Sequence, residues 1–219
     1  NERLSGIGGS DVPGICGLDK WRSPFDIYCF KRGLKPDTID NEYLYWGRKM
    51  EPVIADEYMA RFGKGSRIDR NLFCQSIEHP FQVIHPDGLI FMGDEPAGIL
   101  ECKNVGLRNS SLWGEANSGD IPPGPYLQVQ HSLMVTGLKW AHIAVLIDGN
   151  DFRVYFVEAD AKVHENLLTI ENDFWNRVTN QDPPDPAGTE SDFNILKKLY
   201  PSHTEGQIIN LDPGHELYP

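Results

Sequence analysis

The feature that most constrains the fold is a change of hydrophobic period about a third of the way along the chain. Residues 1–65 carry the start and stop signals of helices, which we predict over 24–33 and 42–62. Short β-rich runs separated by turn signals follow, and they predict an antiparallel meander. The runs cover residues 67–73, 81–85, 88–92 and 98–103.

The second half of the chain returns to helical signals and then alternates again. A loop rich in glycine and proline introduces a helix that we expect to stop at Gly137. Strands are predicted over 140–147 and 152–158, and apolar residues at helical spacing between Val163 and Val178 predict a last amphipathic helix. The order of these elements indicates an α/β (mixed) fold, with a central mixed sheet flanked by helices.

The length of 219 residues fits a single domain, which we expect to span 1–219. Within it we distinguish a helical N-terminal part (1–65), a core (66–180) and an acidic tail (181–219). An Asp/Pro run over 182–186 breaks the order of the preceding helix, and the tail after it is turn-rich.

Several signals predict a soluble protein of a reducing compartment. No apolar stretch approaches the ~20 residues of a membrane span. The first residue is Asn, which indicates that the chain starts inside its gene product, and nothing near it resembles a signal segment. The four cysteines lie far apart, which argues against a zinc site or an iron–sulfur cluster and favours the cytoplasm.

The net charge of −12 lowers the expectation that the chain binds DNA, because lysine and arginine supply most nonspecific affinity for phosphate. The excess acid lies mainly at the C-terminal end, where residues 151–219 hold 13 acidic and 5 basic side chains. Some central acids are candidate metal ligands, and a bound divalent cation reverses the sign of the local field. Acidity therefore weakens the DNA hypothesis without removing it.

Two acids and a lysine fall on adjacent predicted strands in the segments Pro86-Asp87-Gly88 and Glu101-Cys102-Lys103. Successive side chains of a strand point to opposite faces, so Glu101 and Lys103 share one face and Cys102 takes the other. If Asp87 ends the partner strand, three charged groups converge. Asp-Gly is also ordinary turn chemistry, and Glu-x-Lys is also an ordinary solvated pair. The apolar residues around Glu101 favour the functional interpretation, because charge among them needs a partner or a metal.

This trio suits magnesium-dependent hydrolysis of phosphodiester bonds. Magnesium takes one or two carboxylates together with waters and phosphate oxygens, and Asp87 and Glu101 supply such a pair. A metal-bound water is a stronger nucleophile, and Lys103 would orient or deprotonate it and offset the developing charge.

Three further features support the same site, each with an ordinary alternative. Glu51 is a helix acid that we interpret as a third ligand or as a surface residue. The amides of Gln128 and Gln130 suit contacts to substrate or to a metal-bound water, or equally capping and solvation. Arg3 and Ser10 flank a glycine-rich loop that would present N–H groups to an anion, although such a loop alone is a weak signal.

In five motifs in the right order, the chain resembles the YqaJ-like viral recombinase family, a group of phage lambda exonuclease-like alkaline exonucleases in the PD-(D/E)xK nuclease superfamily. The motifs lie in 3–11, 46–51, 86–89, 100–103 and 128–137.

The resemblance implies a PD-(D/E)xK restriction-endonuclease-like core and a processive 5′→3′ double-strand DNA exonuclease that uses Mg²⁺, with Mn²⁺ as a substitute. Such an enzyme starts at a 5′-phosphorylated end, releases 5′-mononucleotides and leaves a 3′ single strand. The implied partners are double-stranded DNA ends, two further copies in a homotrimeric ring, and a single-strand annealing protein. The implied setting is the cytoplasm of a bacterial host that carries the phage or prophage gene, with no membrane partner.

The resemblance also implies residue roles. Asp87 and Glu101 are similar to the metal ligands, with the backbone carbonyl of Cys102 as a further ligand, and Lys103 is similar to the catalytic lysine. The roles of helix glutamate, active-site glutamine and terminal-phosphate pair fall on Glu51, on Gln130, and on Arg3 with Ser10. Two other hypotheses stay open: a structure- or sequence-specific DNA endonuclease on the same core, which would cut closed circular duplex, and a DNA-end-binding module that has lost catalysis.

Overall fold

The computed structural model describes residues 2–35 and 41–201. The α-helices are α1 (Val12–Ile15), α2 (Pro24–Lys31), α3 (Glu42–Phe62), α4 (Pro123–Thr136), α5 (Ala161–Asn180) and α6 (Glu190–Leu199), and 3-10 helices span Glu2–Leu4 and Leu107–Leu112. The strands are β1 (Ile7–Gly8), β2 (Ser66–Asp69), β3 (Cys74–Gln75), β4 (Gln82–Ile84), β5 (Gly88–Met92), β6 (Glu95–Val105), β7 (Trp140–Ile147) and β8 (Asp151–Glu158).

A five-stranded mixed sheet in the order β2-β5-β6-β7-β8 forms the centre of the fold. Its β6–β7 pair is parallel and the other pairs are antiparallel. The parallel pair requires a crossover, and α4 provides it between the two strands. Helices pack beside the sheet, with α3 contacting β6 and β7. The predicted α/β (mixed) class is confirmed.

One predicted strand belongs to a different sheet from the one expected. The meander predicted from the sequence includes 81–85, but β4 lies in a separate three-stranded sheet, parallel to β1 and antiparallel to β3. All three residues of β4 are buried. A strand that is buried throughout needs backbone partners on both edges, and β1 and β3 supply them.

Helices α3 and α4 end where glycine signals predict. Asn41 caps α3 by accepting a 3.0 Å hydrogen bond from the N–H of Leu44, and the helix runs through Pro52 to a C-cap at Gly63. Helix α4 ends at Gly137, whose φ of 70° lies in the left-handed region. Glycine adopts this conformation without the steric cost that a Cβ carries.

A histidine and a glutamate are paired in the core between α4 and α5. The His131 Nδ1 atom is 2.8 Å from Glu171 Oε1, and both side chains are 0% exposed. Gln82 donates a 2.7 Å hydrogen bond to the other oxygen of Glu171, and the carbonyl of Val83 lies 3.2 Å from His131 Nε2. Such a pair is tolerated in a core because its remaining polar atoms are also bonded.

The first part of the predicted acidic tail is ordered. Residues 190–199 form α6, which begins with a capping box between Thr189 and Asp192. Ile195 is buried in a cluster with apolar residues of α2 and α5. The prediction of a turn-rich tail is therefore wrong here, because the apolar face of α6 finds a surface that sequence order does not reveal. Residues 202–219 lie outside the described residues. No described helix is long and apolar enough to cross a membrane.

Candidate active site

The pairing of β5 with β6 places Asp87 beside β6. The antiparallel pairing of β5 with β6 starts at Gly88 opposite Leu100, so among the described strands the edge of β6 that faces β5 has no partner beyond Leu100. Asp87 lies immediately before β5 and takes this place: its Oδ2 accepts a 2.7 Å hydrogen bond from the backbone N–H of Cys102. The carboxylate is thereby fixed beside the segment that carries Glu101 and Lys103.

Glu101 and Lys103 lie on the same face of β6, and α4 adds Gln128 to them. Lys103 Nζ lies 2.6 Å from Glu101 Oε1 and donates a 2.8 Å hydrogen bond to Gln128 Oε1. Gln128 Nε2 donates a 2.6 Å hydrogen bond to the same Glu101 oxygen. The three side chains thus form a closed ring of contacts. Glu101 is 5% exposed and Lys103 is 26% exposed, so the lysine lies nearer to solvent.

The acids at this site destabilise one another's charges. The pKa of Asp87 is raised to about 8, first by burial and then by the nearby carboxylates of Glu101 and Glu51. Burial and Glu101 also raise the pKa of Glu51, which places this α3 residue within electrostatic reach of the strands. Burial alone would lower the pKa of Lys103, but Glu101 outweighs it and the pKa is raised. One lysine therefore faces three carboxyl groups.

These donors fit a divalent metal of the magnesium type. Asp87, Glu101 and Glu51 offer oxygen atoms, and a cation would offset the burial and mutual repulsion that raise the pKa values of Asp87 and Glu51. Within residues 2–35 and 41–201, no group of three or more His, Cys, Asp or Glu side chains forms a ready-made metal cage. Magnesium needs no such cage, because waters and substrate phosphates complete its coordination.

A second charged cluster surrounds Asp11. Its Oδ2 lies 2.6 Å from Lys31 Nζ and accepts a 3.0 Å hydrogen bond from the N–H of Gly8, and its Oδ1 accepts a 2.9 Å hydrogen bond from Arg22. Burial alone would raise the pKa of Asp11, but Lys31 and Arg22 lower it. Lys31 also donates a 2.6 Å hydrogen bond to the carbonyl of Arg3, whose guanidinium lies over the Phe30 ring. The cluster thus holds two cations, Lys31 and Arg22, against the buried carboxylate of Asp11, with the backbone of Arg3 bonded to Lys31.

The glycine-rich loop connects the two clusters. A Cβ on Gly9 would lie only 3.2 Å from Cγ of Gln128, so the loop backbone lies directly against the active-site face of α4. Ser10 follows in this loop and is exposed. The loop therefore places the Asp11 cluster next to the ring of Glu101, Lys103 and Gln128.

The structure places Gln130 away from these groups. Its Nε2 donates a 2.7 Å hydrogen bond to the carbonyl of Glu158, and its Oε1 accepts a 3.0 Å hydrogen bond from the N–H of Asp160 and lies 2.8 Å from His164 Nε2. Residues two apart on a helix point about 200° away from each other, so Gln128 and Gln130 face opposite sides of α4. The glutamine that contacts Glu101 is Gln128, and the assignment to Gln130 is corrected.

The structure distributes the other predicted site residues over the two clusters. It brings Asp87, Glu101 and Lys103 together, with Glu51 nearby. Only the backbone of Cys102 faces the site, since its side chain packs in a core cluster with Ile54 and Tyr58. Arg3 belongs to the Asp11 cluster, and Ser10 is adjacent to Asp11 in the chain.

Sequence analysis missed three members of the second cluster: Asp11, Arg22 and Lys31. Asp11 and Arg22 lie in loops that precede α1 and α2, and Lys31 is the last residue of the short helix α2, so no periodicity indicates which side chains meet. The available signal was Asp11 directly after the glycine loop, because an Asp there can accept hydrogen bonds from loop N–H groups. Arg22 reaches it through a close approach at Gly14, where a Cβ would lie 2.6 Å from the Arg22 carbonyl oxygen.

Three solved structures that are similar to this one are exonucleases by name. The alkaline exonuclease LHK-Exo of Laribacter hongkongensis matches with a TM-score of 0.62 and 18% identity over 83% of this chain and 91% of that chain. LHK-Exo in complex with dAMP matches with a TM-score of 0.64 and 16% identity over 90% and 95%. A phage-related exonuclease from Haemophilus somnus 129PT gives 0.59 and 10% over 80% and 96%. At these identities the likeness shows a shared fold.

Sequence comparison shows the family as well as the fold. The family model described as YqaJ-like viral recombinase domain matches residues 1–139. The protein named Uncharacterized protein YqaJ from Bacillus subtilis (strain 168) is 34% identical over 214 residues, which cover 96% of this chain. The chain spans 65% of the length of that relative. The matched residues include both clusters around Asp87 and Asp11, and the chain belongs to the YqaJ-like viral recombinase family.

Proposed function

We propose that the chain is a magnesium-dependent 5′→3′ double-strand DNA exonuclease of a phage-type recombination system, with Mn²⁺ as a substitute. One observation carries the proposal: a carboxylate from the start of β5, a carboxylate and a lysine from β6 and an amide from α4 converge beside one sheet edge. Family membership and the exonuclease fold support the same class of enzyme.

The residues that would hold the metal are Asp87 and Glu101, with Glu51 near them. The carbonyl of Cys102 is a further candidate ligand. In a strand, the N–H and C=O of one residue point to the same edge, and the N–H of Cys102 already faces Asp87. When bound, the metal supplies an activated water and stabilises charge on the phosphate oxygens.

Lys103 acts as a positively charged hydrogen-bond donor to the reacting groups. Its raised pKa keeps it protonated at neutral pH, so we assign it to orienting the attacking water and offsetting negative charge in the transition state. Gln128 fixes the direction of this side chain through its 2.8 Å hydrogen bond and holds Glu101 with its amide N–H. Gln128 thus takes the role of active-site glutamine.

Recognition of the DNA end is assigned to the cluster around Asp11. Arg22 and Lys31 contact Asp11, the backbone of Arg3 is bonded to Lys31, and Ser10 adds the hydroxyl and N–H of an exposed loop. A terminal phosphate carries more charge and more free oxygens than a bridging one, so such a cluster favours a 5′-phosphorylated end. The dAMP bound by LHK-Exo belongs to the product class that we propose, the 5′-mononucleotides.

We extend the proposal to organisation and partners. The chain acts as one nuclease domain over 1–219, with the catalytic core in 66–180. It assembles as a homotrimeric ring around DNA, works with a single-strand annealing protein, and acts in the cytoplasm of a bacterial host from a phage or prophage gene. Family membership supports these statements, and light scattering of the purified protein tests the trimer.

A single digestion experiment tests the proposed reaction. Linear duplex DNA and covalently closed circular duplex are incubated with the protein, with and without magnesium. Asp87→Ala is the test variant, and Asp94→Ala, which changes an exposed Asp in the β5–β6 turn, is the matched control. We expect magnesium-dependent release of nucleotides from linear DNA alone, lost only in Asp87→Ala. Cleavage of the circle would indicate an endonuclease, and binding without cleavage would indicate an end-binding module.

A further inference from the structure

Helix α6 is attached to the start of α2 by two contacts between serine and aspartate. Ser23, the N-cap of α2, donates a hydrogen bond to Oδ1 of Asp192, and Ser191 donates one to Oδ2 of Asp26. Asp192 also accepts from the backbone N–H of Ala187 at 2.8 Å, which ties the preceding loop to the same carboxylate. The contacts are buried or partly buried, so α6 and the start of α2 form one polar interface.

Asp26 connects this interface to Arg22. The carboxylate is 1% exposed, and its Oδ2 also accepts a 2.6 Å hydrogen bond from Lys35. Its Oδ1 faces Arg22 Nε across 3.7 Å. Both of these buried atoms lack a hydrogen-bond partner among the residues that the structure describes. Arg22 therefore lies between two acids, bonded to Asp11 and held just beyond hydrogen-bond distance of Asp26.

The orientation of the Asp26 carboxylate determines whether its Oδ1 stays 3.7 Å from Arg22 Nε or forms a hydrogen bond with it. A buried carboxylate that loses a donor turns to the nearest alternative, because an unsatisfied charge in the interior is costly. For Asp26 that alternative is Arg22 Nε. Ser191 of α6 and Lys35 both donate to Oδ2, the oxygen that does not face Arg22 Nε, so they hold the carboxylate away from the guanidinium.

We propose that Ser191 of α6 is a positioning residue for recognition of the DNA end. By holding Asp26 back, it prevents a direct hydrogen bond from Arg22 Nε to Asp26 and so keeps the guanidinium bonded to Asp11. The inference rests on the proposed function, which assigns the terminal phosphate to this cluster. Helix α6 lies beyond the residues 1–139 that the family model matches, so a segment outside that match would tune the end-binding site.

The test compares three variants on α6. Ser191→Ala removes the hydroxyl that holds Asp26, and Ser191→Thr keeps it. Asn194→Ala is the matched control, because Asn194 is exposed on the same helix. Binding of short duplexes with a 5′-phosphate or a 5′-hydroxyl is measured by fluorescence anisotropy at low salt in EDTA, so that no metal-dependent cleavage intervenes. The readout is the ratio of the two affinities, which a general loss of folded protein does not change.

We expect Ser191→Ala to lower the phosphate-to-hydroxyl affinity ratio by about two- to tenfold, the range for loss of one hydrogen bond. Ser191→Thr should restore the wild-type ratio, and Asn194→Ala should leave it unchanged. An unchanged ratio in Ser191→Ala, or an equal fall in the control, overturns the inference. A wild-type ratio near one also overturns it, whereas the proposed exonuclease activity stands or falls separately on the digestion of linear DNA.

Discussion

The backbone N–H of Cys102 donates a 2.7 Å hydrogen bond to the carboxylate of Asp87, at the position where the pairing between β5 and β6 has already stopped. A side chain thus replaces the next backbone partner. The contact needs Asp87 next to Gly88, since the first residue before the strand is the one placed opposite the open edge. The strand register therefore explains why the acid lies at position 87, and the proposed metal chemistry explains why it is an acid.

We predict that Asp87→Ala, Glu101→Ala and Lys103→Ala each lower the rate of linear duplex cleavage by at least about a hundredfold. Each group contributes to one shared site, so a double variant should lose far less than the product of the two single effects. Initial rates with magnesium measure this, and circular dichroism checks the fold. Multiplicative losses would contradict a shared site, and an active Lys103→Ala would remove the role of that lysine.

Calcium should support DNA binding without hydrolysis. It satisfies carboxylates with a looser geometry than the octahedral one of magnesium, and either cation offsets the acids that otherwise repel DNA. Fluorescence anisotropy with a linear duplex should show markedly weaker binding in EDTA than in calcium. An affinity that is the same with and without the divalent ion would argue against Asp87 and Glu101 as the cation site.

Arg3→Ala should reduce the preference for a 5′-phosphorylated end. The loss expected for a hydrogen bond to a charged group is about 1.5–3 kcal/mol, seen in initiation on 5′-phosphate ends and much less on 5′-hydroxyl ends. Initial rates of wild type and variant on both substrates give this difference. A phosphate preference that survives the substitution would exclude Arg3 from the pocket, and equally fast attack from 3′ ends would exclude the polarity.

Substitution of the two glutamines of α4 should have different effects: loss of Gln128 should lower activity, and loss of Gln130 should lower stability. Gln128→Ala removes two contacts of the active-site ring, so cleavage should fall by about tenfold or more while the melting temperature changes little. Gln130→Ala leaves the N–H of Asp160 and the carbonyl of Glu158 without this buried partner, so it should cost about 1–3 kcal/mol of unfolding free energy. Its activity per folded molecule should stay near wild type. The reverse pattern would restore Gln130 to the site.

The His131–Glu171 pair should make stability depend on pH. Burial alone would lower the pKa of His131, but Glu171 outweighs it and the pKa is raised. A raised pKa in the folded state means that the pair stabilises fully below the unfolded value of about 6.5 and loses this contribution as pH rises through the folded pKa. The free energy of unfolding, measured in urea at a series of pH values, should therefore fall as the pH rises above about 6.5.

Glu171→Gln is the control for this pH dependence. It removes the charge that raises the pKa of His131, so the slope assigned to the pair should disappear in the variant. The acids of the active site are present in both proteins, and their titration cancels in the difference between the two curves. A difference that does not change with pH would contradict an ionised pair in the core.

Local sequence signals predicted many helices and strands of the fold. They did not predict the contacts between segments that are distant in the sequence. Gly63 and Gly137 end their helices as expected, because capping acts within one turn. The alternation along β6 predicted that Glu101 and Lys103 share a face, and both contact Gln128. The membership of β4 in a second sheet and the docking of α6 depend on surfaces formed by other parts of the chain, which no local pattern encodes.

The same limit applies to the candidate site. Convergence of Asp87 with Glu101 and Lys103 was predictable because a hairpin joins them. The choice between Gln128 and Gln130 depended on the rotation of α4 about its axis, which a motif alone does not fix. Helical spacing shows only that the two residues cannot face the same group.

The parallel pairing of β6 with β7 sets the order in which the active site can be built. β6 carries Glu101 and Lys103, yet its partner along residues 99–105 is β7, which is synthesised after α4. A growing chain that ends before residue 140 lacks this strand, so the segment that carries Glu101 and Lys103 has no parallel partner. Pairing across such a separation is also slow compared with hairpin formation. Cleavage activity should therefore be acquired late in folding, after most of the helices have formed.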